Sequence, residues 1–186
     1  MRLFKTLTVT TTALLALTAL TACGGDGDEA ATGTGGKSLP KANDVASMER
    51  FVNQYAVCKD LETEASAGGA AREAFADLPE GSKGGVKERA FCEAERGEPI
   101  VMLAVSDMKK FVAGLKAKKE EGKDGVALVG ADFAVLPSDG ETSTALKNAG
   151  LIIASCDADY NSKIPSGYFK RESTAEGCIM TDYLPV

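Results

Sequence analysis

Two short spacings in this chain bring oxygen and nitrogen groups close enough to suggest chemistry. Asp157-Ala158-Asp159-Tyr160-Asn161 alternates carboxylate and amide oxygens in the D-x-D-x-N order that opens a calcium loop. The pattern then breaks, because the position that requires glycine is Ser162 and that of the closing bidentate glutamate is Tyr168. An EF-hand is excluded. Two readings stay open, an irregular calcium site or side chains that turn the backbone after a strand. Ser106-Asp107-Met108-Lys109 has the S-x-x-K spacing of a serine nucleophile beside a lysine. The S-D-N and K-T-G elements that complete such sites do not occur, so Ser106 is expected to cap a helix N-terminus instead.

The absence of histidine removes Ser-His-Asp and Cys-His catalysis and every His-ligated metal. A four-cysteine zinc site needs close C-x₂₋₄-C pairs, and Cys58, Cys92, Cys156 and Cys178 are too widely spaced to supply them. No metal and no cofactor is expected, and enzymatic chemistry is reduced to Ser/Lys or carboxylate types. The "GTGGKS" run is not a phosphate loop, since the required first glycine is replaced by Ala31. A binding surface is the better expectation. Its candidates are Asp157, Asp159 and Asn161, followed in the loop "IPSGYF" by Tyr168 and Phe169, with packing over the sheet edge as the competing role for the two aromatics.

Lys and Arg number 21 against 27 Asp and Glu, a net charge of -6. Phosphate binding needs concentrated positive charge, so nucleic acid is not an expected partner. The lysines of "DMKKFVAGLKAKKEEGK" read as a solvated helix face, with contact to an anionic cell-wall polymer as the sharper alternative.

The fifth cysteine, Cys23, belongs to a different pattern. Arg2 and Lys5 precede an uncharged stretch from Leu7 to Leu20, of signal-peptide rather than membrane-span length. Leu20-Thr21-Ala22-Cys23 follows at once and resembles the lipobox of bacterial lipoproteins. The resemblance implies a diacylglyceryl group on the Cys23 sulfur and cleavage before it. It divides the chain into a signal peptide (1-22), a lipidated N-terminus with a Gly-rich tether (23-43) and one domain (44-186). The membrane then becomes a partner through the lipid, at the extracytoplasmic face. Two acyl chains give a durable anchor. Loss of Arg2 and Lys5 makes the body more acidic still, and net charge alone predicts that it stands off an anionic surface. The body also loosely resembles small secreted actinobacterial lipoproteins of unassigned function, a likeness that assigns no residue a role. In an oxidising compartment the remaining four cysteines form two disulfides. Three pairings are possible, and Cys58-Cys92 with Cys156-Cys178 is favoured because each joins neighbours in sequence.

The elements that must position these residues are read from periodicity and caps. Asn43 or Asp44 opens a helix with Met48, Phe51, Val52 and Tyr55 on one face. A short helix spans Ala70 to Leu78 before Pro79, and a third, Val86 to Arg96, carries Phe91 and Cys92, so that Cys58-Cys92 would staple two helices. "IVMLAV" is a strand covered on both faces. A helix capped by Ser106 or Asp107 follows, with Met108, Phe111, Val112 and Leu115 inward and Gly122 at its end. "GVALVGADFAVLP" is one bent strand or a hairpin. A helix capped by Ser138 or Asp139 ends at Gly150, "LIIAS" is a buried strand, and "CIMTDYL" is the last.

The expected fold is α+β (or α/β), N-terminal helices followed by a β-α-β(β)-α-β-β core, with helices packed on one sheet. The hairpin version would be ferredoxin-like. The expected function is a membrane-anchored binding or accessory module for an unknown ligand or envelope protein. The alternatives are a small envelope hydrolase using Ser/Lys or carboxylates, and a calcium-stabilised structural module.

Overall fold

The computed structural model describes residues 38–185; the expected signal peptide, Cys23 and the expected tether up to residue 37 lie outside the described residues. Eight strands form one antiparallel sheet: β1 (Lys59–Thr63), β2 (Val86–Glu93), β3 (Pro99–Val105), β4 (Val126–Val129), β5 (Phe133–Pro137), β6 (Ile152–Ser155), β7 (Lys170–Glu172) and β8 (Ile179–Thr181). Their order across the sheet is β1-β2-β3-β5-β4-β6-β8-β7. Among the described residues five helices accompany the sheet: α1 (Val45–Asn53), α2 (Gly69–Ala76), α3 (Met108–Glu120), α4 (Gly140–Asn148) and α5 (Ala158–Ser162). The mixed α+β class is as the sequence predicts. The ferredoxin-like form is not confirmed, because β3 has β2 on its outer side and β6 pairs with β4 instead.

The continuous apolar run of β3 is explained by helices on both faces of the sheet. Val101, Leu103 and Val105 enter a core with Phe75 of α2 and Phe111, Val112 and Leu115 of α3. Ile100, Met102 and Ala104 enter the opposite core with Met48 and Val52 of α1 and Leu146 of α4. Alternate side chains along a strand face opposite ways, so a strand buried on both sides shows no polar positions.

Aspartate caps start α1, α3, α4 and α5. Asp44 Oδ1 accepts from the Ser47 N–H at 2.7 Å while Ser47 Oγ accepts from the Asp44 N–H, a reciprocal cap on α1. Asp107 caps α3 through the Lys110 N–H (3.1 Å) and Asp139 caps α4 through the Thr142 N–H (2.7 Å). Ser106 is therefore not the cap. Its Oγ donates to the Gly85 carbonyl at 3.1 Å, tying the start of α3 to the turn before β2.

The third N-terminal helix is instead strand β2. Its sequence, "VKERAFCE", is rich in good helix formers. Seven residues pair with β3 and the other edge pairs with β1, which satisfies the backbone and buries Ala90, Phe91 and Cys92 between both cores. Tertiary pairing outweighs local propensity here. The Cys58–Cys92 disulfide accordingly joins the segment after α1 to a strand, not helix to helix, and the second disulfide is Cys156–Cys178.

The chain enters the domain before residue 44. Leu39 and Ala42 are buried, the Pro40 carbonyl accepts from the Ala131 N–H at 2.8 Å, and Asp132 Oδ1 accepts from the Ala42 N–H at 2.7 Å. This entry lies at the β4–β5 turn. Strand pairing places the ends of β3 and β8 and the start of β7 at the same end of the sheet. The β2–β3 turn, the end of α3 and the start of α4 lie at the other, about 23 Å away along the seven residues of β3.

Candidate functional site

The predicted binding residues fall in the segment between β6 and β8, and the structure separates them. Asp157 is the N-cap of α5. Its Oδ1 accepts from the Asp159 and Tyr160 N–H groups at 2.8 and 3.2 Å. Its Oδ2 accepts from Lys119 Nζ at 2.6 Å, an ion pair that fastens the end of α3 to the start of α5. The Lys119 ammonium, and then the Tyr160 N–H, hold the Asp157 carboxyl below its ordinary range; the pairing in turn raises the Lys119 pKa. Asn161 turns away, donating from Nδ2 to the Gly177 carbonyl at 3.1 Å. Asp159 is exposed. The three side chains do not converge as calcium ligands would, and among the described residues there is no group of three His, Cys, Asp or Glu arranged to hold a metal.

Tyr168 and Phe169 part company. Phe169 packs half-buried against the α2/α3 core. Tyr168 is 45% exposed, and its ring meets Tyr183 edge-on with centroids 4.9 Å apart. The Tyr160 ring also lies near Tyr183, with centroids 6.1 Å apart, and its hydroxyl donates to the Tyr183 carbonyl. Burial pushes the Tyr160 pKa up to about 12, with the neighbouring Tyr183 a smaller cause. The aromatic group is braced from below. Asp182 Oδ1 accepts from the Phe169 N–H at 2.7 Å, and Thr181 Oγ1 donates to the Phe169 carbonyl at 2.6 Å. Sequence reasoning missed Tyr160 and Tyr183. The cap signal of Asp157 before a short polar run could have placed α5 and hence Tyr160; nothing local marks Tyr183.

Ser106 and Lys109 are both exposed, and no hydrogen bond joins them among the described residues. The Ser/Lys pair therefore lacks the contact that would activate the hydroxyl.

A second feature escaped the sequence reading. An open cleft of about 260 Å³ between α2 and the sheet is lined by Glu64, Ala67, Arg72, Phe75, Glu80 and Arg89. Arg89 lies in β2 with only 8% of its surface exposed. Its Nε and Nη2 donate to both Glu64 oxygens, Nη1 donates to the Phe75 carbonyl at 3.3 Å, and Glu80 lies 3.6 Å away. The guanidinium also sits 5.1 Å from the Phe75 ring centroid. This constellation spends its polar groups on one another and serves to hold α2 on the sheet.

No family model matches the chain, and no curated protein or solved structure matches it. What fold and site define is a disulfide-braced, three-layer α+β domain with an exposed tyrosine at one end of its sheet. No helix among the described residues is long and apolar enough to cross a membrane.

Proposed function

We propose that this chain is a lipid-anchored extracytoplasmic lipoprotein whose domain acts as a binding or accessory module at the cell surface. The observation that carries the reading is the cysteine pairing. Cys58 bonds Cys92 and Cys156 bonds Cys178 within the domain, which accounts for four of the five cysteines and supports reading the fifth, Cys23 behind Leu20-Thr21-Ala22, as the lipidated one. Two disulfides also suit an oxidising compartment. The binding surface is the segment between β6 and β8. Asp157 and Asn161 shape it through their internal bonds, and Tyr168 is the ring it offers to solvent.

Metabolic labelling with a palmitate analogue tests the anchor. The full-length protein should take up label and fractionate with membranes, and Cys23→Ala should lose both. Label retained by the Cys23→Ala protein, or none in the parent, overturns the proposal.

A further inference from the structure

We propose that the end of the sheet bearing Tyr168 and Tyr183 faces the membrane, and that the domain rests on the bilayer surface through these rings. The inference rests on the lipoprotein reading above and names the partner of its Tyr168 surface.

The first support is where the chain enters the fold. Leu39 is buried and Ala42 is bonded to Asp132 in the β4–β5 turn, so the tether meets the domain at that end. Lys170 pairs with Thr181, Thr181 with Ile153, and Ile152 with Val129, which puts Tyr168 and Tyr183 at the same end, a few strands away. The second support is side-chain chemistry. Tyrosine rings favour the boundary between lipid and water, where the ring is partly desolvated and the hydroxyl stays wet. Tyr168 is one of three large exposed apolar side chains among the described residues, the others being Tyr55 and Val57 between α1 and β1, and only Tyr168 has further apolar residues, half-buried Ile164 and exposed Pro165, in a loop at the end where the chain enters.

The third support is the distribution of charge. The turns and helix ends at the opposite end carry Glu95, Glu98, Glu120, Glu121, Asp124, Asp139, Glu141, Asp157 and Asp159 against Arg96, Lys118, Lys119 and Lys123. The Tyr168 end carries Lys41, Lys109, Lys110 and Lys170, which balance Asp44, Asp107, Asp132 and Asp182. Repulsion from anionic headgroups therefore acts mainly on the far end. A net charge of -6 predicts stand-off, whereas its placement predicts orientation. The contact can be weak, because a tether holds the domain at an effective concentration on the order of millimolar.

The absence of tryptophan makes the test clean. Full-length lipidated protein carrying Tyr168→Trp, or Arg96→Trp in the β2–β3 turn, is reconstituted into phosphatidylcholine/phosphatidylglycerol vesicles with and without acyl-brominated phosphatidylcholine. Circular dichroism in detergent first checks that both variants fold. The Tyr168→Trp protein should show blue-shifted emission and lose intensity in the brominated vesicles, and the Arg96→Trp protein neither. Equal quenching of the two, quenching of Arg96→Trp alone, or no quenching in either overturns the orientation while the anchor stands. Failure to float with vesicles, or flotation that survives Cys23→Ala, overturns the anchor and the docking with it.

Discussion

The Arg89–Glu64 pair is asymmetric in burial, and the two ways of breaking it should differ in cost. The Arg89 side chain is 9% exposed and Glu64 57% exposed. Replacing Glu64 by Ala leaves a buried guanidinium with the Phe75 carbonyl and a Glu80 oxygen at 3.6 Å. An under-paired buried charge of this kind should cost about 3 kcal/mol. Replacing Arg89 by Met removes the charge from the interior and keeps much of the apolar stem, while Glu64 regains water. That change should cost no more than about 1 kcal/mol. Urea unfolding followed by circular dichroism gives both values, with the double variant closing the cycle. The pair also sets a pH dependence. Hydrogen bonding from Arg89 is the main cause that lowers the Glu64 pKa from its ordinary value of 4.5. A depressed folded-state pKa contributes stability above the unfolded value that is lost as pH falls through the folded one. The parent should therefore weaken below about pH 4.5 more steeply than Glu64→Gln. Arg89→Met costing as much as Glu64→Ala, or parallel acid profiles, would refute this account of how burial divides the pair.

Three further outcomes are expected. Chain-entropy arithmetic for sequence separations of 34 and 22 gives about 3.8 kcal/mol for Cys58–Cys92 and about 3.4 kcal/mol for Cys156–Cys178. Paired Cys→Ala variants should lose comparable stability in urea, and a loss under about 1 kcal/mol in either would contradict that. At Gly130 an added Cβ would lie 2.1 Å from the Phe133 ring and 2.6 Å from the Pro40 carbonyl, so Gly130→Ala should depress Tm sharply. Gly140→Ala, with nothing within 4 Å, should leave Tm level or raise it, and the contrast is read in one thermal melt. Calcium or EDTA should leave Tm unchanged, because Asp157 is occupied by Lys119; a rise with calcium would restore the metal reading.

What could be read from the sequence follows where each residue finds its partner. "IVMLAV" and "LIIAS" declare themselves because both of their faces are covered, and α3 and α4 because Asp107 and Asp139 cap them locally. Strand β2 was hidden by helix-forming residues whose partners lie in β1 and β3, and Tyr183 by its 23-residue separation from Tyr160. The edge strands gave no apolar signal for a further reason, which bears on function. All three residues of β7, Lys170-Arg171-Glu172, are exposed, and β1 is interrupted between Lys59 and Glu62, with Asp60 at φ +52°. Charged and kinked edges resist the addition of another strand. Association through the sheet's backbone is thus disfavoured at both sides, and recognition falls to side chains held at the sheet's ends. Of those, Tyr168 combines exposure with a fixed ring, because Tyr183 supports it edge-on and the Asp182 bond fixes the backbone beside it.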